Sequence, residues 1–162
     1  MLPPSLECGS HAAAFPEEEM DQDRLTAAEW EAFRQSMGYS PEELDAFRAD
    51  ARREYVMQNA NRLDAWRIVA EVIASHGCAA GHHAGDRFLF SPHGTYLSAQ
   101  GPERPCLQVF VAVAPAVAVM QERIIAGLSP EAYLFTHVGC VDVGLACGGW
   151  GRIALRLSAE PA

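Results

Sequence analysis

The chain has 162 residues, of which 49% are apolar and 20% charged, enough to fill the core of one domain and too apolar for global disorder. A formal charge of -9 argues against binding to nucleic acid or anionic membranes. All twelve basic residues are arginine, which excludes Schiff-base and P-loop lysine chemistry.

The charge is unevenly spread. Residues 1–74 carry 7 Arg against 15 Asp and Glu, whereas residues 75–162 carry 5 against 6. Four of the five cysteines fall in the nearly neutral second half. Residues 1–25 read as an extended or disordered leader: Pro3, Pro4 and Pro16 oppose helix, and Glu17, Glu18 and Glu19 have no apolar stripe. No basic segment precedes an apolar one there, so a secretory signal is not expected, and Met20 is a possible alternative start.

A helical N-terminal arm is expected over 26–65. Thr26 and Glu29 have capping-box spacing, and Trp30, Phe33 and Met37 share a face that ends at Gly38. Ser40, Pro41 and Glu43 repeat the device, and Leu44, Phe47, Ala51 and Tyr55 continue at helical spacing. Such an aromatic stripe either packs as a core or forms an arm that docks on another subunit.

Residues 66–162 are expected to form a small α+β domain, an antiparallel sheet covered by one or two helices. Trp66–Ile73 is rich in β-branched residues and favours a strand, although it could continue the preceding helix. Arg87–Ser91, Thr95–Ser98, Tyr133–Val138 and Ile153–Leu157 read as further strands. Leu107–Leu128 is apolar and long enough for a helix, which Pro115 is expected to split. With Pro115 and Gln121 interrupting that run, no membrane-spanning helix is expected.

The densest chemical feature is Cys78-Ala79-Ala80-Gly81-His82-His83-Ala84-Gly85-Asp86-Arg87-Phe88. A thiol and an imidazole four positions apart on a glycine-rich loop can turn toward one ion, and zinc accepts both donors. Cys106 opens the apolar helical segment, where a helix N-terminus favours the thiolate. Cys140 and Cys147 flank Val141-Asp142-Val143-Gly144. Four such thiols without a secretion signal fit a reducing, cytoplasmic compartment, where metal binding, a reactive thiol and inert burial all stay open. Without repeated C-x2-C pairs, an iron–sulfur cluster is less favoured than zinc. Asp86 suits either orientation of His82 or the capping of a turn, and Asp142 a turn, a base or a ligand. His83 and His93 read as solvated. No nucleophile elbow, dinucleotide fingerprint or Walker loop is present.

From about Trp66 to Ser158 the chain resembles a family of small uncharacterised bacterial and archaeal proteins. Their pattern runs C-x-x-G-H-x-x-G-D-x-F, then a Cys-Pro before an apolar helix, then a Cys-Pro-Asp before the last strand. The first block is present as Cys78, Gly81, His82, Gly85, Asp86 and Phe88. The second appears with the proline displaced, as Pro105-Cys106, and the third as Cys140-Val141-Asp142 without it. The resemblance implies that Cys78, His82, Cys106 and Cys140 act as one set, and three thiolates with one imidazole is a zinc ligand set.

The leading functional expectation is an accessory or small-subunit protein with this Cys/His site. It would dock on a larger enzyme, or on its own copy, through the helical arm. One alternative is a metal-dependent enzyme of hydrolase or lyase type, with Asp86 or Asp142 as base. Another is a thiol redox protein.

Overall fold

The computed structural model describes residues 25–162, so the expected leader lies outside the described residues. Three helices form the arm: α1 (Ala27–Met37), α2 (Pro41–Arg48) and α3 (Ala51–Asn59). Both expected capping boxes form. The Thr26 hydroxyl accepts the Glu29 N–H while the Glu29 carboxylate takes the Thr26 N–H, and Ser40 and Glu43 do the same. Gly38, at φ +70°, ends α1 in the left-handed conformation that a side chain would oppose. The stripe from Leu44 to Tyr55 does not lie on one helix. Asp50 accepts the Arg52 N–H and starts α3 afresh, because an N-cap aspartate outcompetes continuation of the preceding turn.

The arm's aromatics are spent on one another. Trp30, Phe33, Tyr39 and Phe47 pack with ring centroids 5.2–6.4 Å apart, mostly edge to face. Arg48 stacks over Trp30 at 4.8 Å and covers the knot from solvent. A short 3-10 turn, Ala60–Ala65, then leads into the sheet.

The fold is α+β, as expected. The sheet comprises β1 (Trp66–His76), β2 (Arg87–Phe90), β3 (His137–Gly139) and β4 (Arg152–Pro161) in the order β2-β1-β4-β3, every pair antiparallel. Thr95–Ser98 contributes a single bridge from Tyr96 to Phe90 rather than a strand. On one face Ile68, Ala70 and Val72 of β1 stand beside Phe90 and Phe88 of β2 and Leu157 and Leu155 of β4. That row is the floor of the main core. The opposite face carries cross-strand ion pairs, Arg156 with Glu71 and Arg87 with Glu160, each at 2.6 Å. Their partial exposure limits each to about 0–1 kcal/mol, so they cover that face more than they hold it.

The roof of the core is α4 (Leu107–Ile125), one helix of 19 residues that Pro115 does not split. Pro115 and Val111 are both exposed, so the backbone bond that a proline cannot make is missing on the outer side of the helix and not in the core. Val109, Val113, Ala116, Val117 and Met120 recur at helical spacing and bury on the sheet. Farther along, Ile124 and Ile125 pack with Leu63, and Arg62 donates to the Ile125 carbonyl at 3.0 Å, which ties the arm to the end of α4. Because it is continuous, α4 meets the length and apolarity of a membrane span, contrary to expectation; its buried stripe belongs to this domain's own core.

Candidate functional site

Two features stand out: a cysteine–histidine corner at the start of α4, and the outer face of α4 itself. The corner forms where β1 and β4 end. β1 carries a bulge between Val72 and Ala74, which turns its last residues before Gly77. Gly77 has φ +65° and meets Gly151 so closely that a Cβ on Gly151 would strike the Gly77 carbonyl. Only two glycines allow this crossing, and it sends residues 77–86 back over the edge of the core.

That loop is held by short bonds. Ser75 Oγ donates to the His82 carbonyl at 2.6 Å, Gly81 N–H bonds the Cys78 carbonyl at 3.0 Å, and the Gly85 and Val72 backbones pair at 2.8 Å. His82 is the one buried polar side chain among the described residues, 4% exposed. Its ring meets Phe88 edge to face at 5.0 Å. Nε2 accepts the Cys106 N–H at 3.3 Å, which places the neutral ring's proton on Nδ1, 3.6 Å from Asp86 Oδ2. The same Asp86 oxygen accepts the His83 N–H at 3.0 Å, so Asp86 both caps the turn and faces the imidazole.

Cys106 is the N-cap of α4 and makes no side-chain cap bond; the imidazole of His82 supplies an acceptor for its N–H from 24 residues away. Cys78, Cys106 and Cys140 are half-buried against the main core. Cys140 Sγ accepts the Ile153 N–H at 3.3 Å, and Ile153 pairs with Ser75 across the sheet. Of the four expected ligands, His82 is bonded to Cys106, Cys78 opens the loop that carries His82, and Cys140 follows β3 against β4. Cys147 is exposed on the β3–β4 loop, and His83 and His93 are exposed, with His93 3.3 Å from Asp64.

In kind, the donors suit zinc. In arrangement, no three His, Cys, Asp or Glu side chains converge to hold an ion among the described residues. His82 binds the backbone of Cys106, and no hydrogen bond joins an imidazole to a thiol among the described residues, so the nucleophile–base pair of thiol chemistry is not formed.

Asp142 serves as a turn anchor. Its carboxylate accepts the N–H groups of Gly144, Trp150 and Gly151 at 2.8–3.3 Å. These bonds, that of Gly144 foremost, favour the ionised form and hold Asp142 below the usual aspartate range. A lowered carboxyl value stabilises the loop above the unfolded titration, and the contribution disappears as pH falls through the folded value. Protection of the Gly144 and Gly151 amides against hydrogen exchange should thus fall on acidification below about pH 4, and Asp142→Asn should show low protection at every pH.

The outer face of α4 is the feature the sequence reading did not resolve. Leu107 is 70% exposed and Val111 53%, and Ala114, Pro115, Ala118 and Val119 are also open to solvent. No charged residue interrupts the helix before Glu122. Alongside runs a groove of about 420 Å³, lined by Phe90, Tyr96, Phe110, Val113 and Val117, with His93 and Gln121 at its rim. A helix apolar without a break from Val109 to Met120 offers no polar residue by which a sequence could divide its inner face from its outer one; the absence of charge over three turns is the only signal.

No family model, curated protein or solved structure matches the chain.

Proposed function

We propose that this protein is an accessory module that works by docking on another protein, and that the outer face of α4 is its docking surface. The observation that supports this reading is the open apolar stripe from Leu107 to Val119 on a helix whose inner stripe is already committed to the core. A contiguous exposed apolar face rimmed by polar residues is the ordinary signature of an interaction site. The arm, by contrast, turns its aromatics inward, and its role is to brace α4 through Leu63 and Arg62.

The test is an apolar fluorescent dye added to dilute protein. Wild type should bind it, and Val111→Glu should lose about tenfold or more in dye affinity with unchanged circular dichroism. Equal dye binding by the two folded proteins would contradict the reading.

A second reading keeps Cys78, His82, Cys106 and Cys140 as a zinc site, favoured by the buried imidazole lying against Cys106. Zinc held there would staple the 77–86 loop to the start of α4 and to the end of β3, a structural use. Reduced protein should then take up one zinc per chain, and Cys78→Ser should lose it; no uptake at micromolar zinc would contradict this.

A further inference from the structure

We infer that the occupant of the α4 face is a second copy of this chain, packed helix to helix in antiparallel fashion about a two-fold axis. The inference rests on the docking reading above and adds the partner's identity.

The exposed stripe supplies the register. Leu107, Val111, Ala114 and Ala118 follow one another at spacings of 4, 3 and 4, the seam of a helix pair. Large residues occupy its first half and alanines its second. A parallel pair would set Leu107 against Leu107 and Ala118 against Ala118, leaving a wedge-shaped gap. An antiparallel pair that sets Val111 against Ala118 puts Leu107 opposite position 122, so Val111 meets a small residue while Leu107 lies along the aliphatic stem of Glu122.

Charge fits the same arrangement. Arg104, three residues before Leu107, and Glu122, one turn beyond Ala118, are both exposed. Neither has an ion-pair partner among the described residues. Antiparallel packing brings the Glu122 end of one helix to the Arg104 end of the other, twice per dimer. Glu103 and Arg123 fall at the same two ends with the complementary order, although Arg123 also donates to the Ser129 carbonyl at 2.7 Å. The negative end of each helix dipole then lies beside the positive end of its partner. A two-fold interface requires one patch to complement itself, and this patch does so in size and in charge.

Sedimentation velocity of the full chain across concentration tests the inference. Wild type should form a dimer. Val111→Glu should weaken it about 100-fold or more, since a carboxylate would be buried against alanine. Arg104→Glu and Glu122→Arg should each weaken it about three- to fivefold, and the double variant should recover most of that loss. Orientation is read by mixing Val111→Cys chains with Ala118→Cys chains under mild oxidation and mapping the linked peptides. Antiparallel packing links position 111 to 118, whereas self-linkage at 111 would overturn the geometry. A monomer that still binds the apolar dye through Val111 would overturn the second copy and leave the docking reading standing. A monomer that does not bind the dye would overturn both.

Discussion

Phe88→Ala is expected to destabilise the fold by about 3–5 kcal/mol, the range for emptying a large aromatic site in a close-packed core. Phe88 has no exposed surface, and it is among the largest side chains in the main cluster. It lies opposite Ala70 on β1, so the small neighbour leaves the ring a space that nothing else in the sheet fills. The ring also supports His82 edge to face at 5.0 Å, and through it the bond from the Cys106 N–H at the start of α4. Denaturant titration should show the loss in midpoint, and hydrogen exchange should show the 77–86 loop losing protection with the core. A loss under 1 kcal/mol would mean that the ring is not the contact between loop and sheet described above.

Gly151→Ala is the second large effect, about 2–3 kcal/mol by overpacking. A Cβ there meets the carbonyl of Gly77 and that of His76, backbone atoms that cannot rotate away. Relief requires moving β1 and β4 apart at the end where they flank the corner. Gly148→Ala is the informative comparison: its φ of +82° carries strain, but a Cβ meets nothing within 4 Å. Its cost should be about 1 kcal/mol, the ordinary penalty of a left-handed alanine. Equal thermal shifts in the two variants would contradict steric contact as the cause.

These two residues also show what the sequence made legible. Phe88 closes the motif that begins at Cys78, and the structure gives its last three positions mechanical tasks. Gly85 turns the chain at φ +96°, Asp86 caps that turn, and Phe88 enters the core. The caps at Thr26 and Ser40 were readable because they depend on residues three positions apart. The break at Asp50 was harder, since the apolar stripe runs through it while only the backbone restarts.

Long-range relations were not readable. The Gly77–Gly151 crossing joins residues 74 positions apart, and the bond from Cys106 to His82 joins residues 24 apart. Neither leaves a local pattern. Pro115 does not break α4, because the cost of a proline depends on its setting: it lies on the exposed side of the helix, away from the core. For the same reason the family resemblance grouped four ligand-type residues as one set but could not set where their donor atoms point.

The central claim is that the outer face of α4 is free of the protein's own fold and built for another chain. Hydroxyl-radical footprinting of the full chain, read residue by residue from dilute to concentrated solution, tests it directly. Leu107 and Val111 should be oxidised readily in dilute protein, while Val109 and Val113 stay protected on the buried side. As concentration rises, Leu107 and Val111 should become protected together. If they are as protected as Val109 and Val113 at the lowest concentration, the face is already covered within one chain and the claim is wrong.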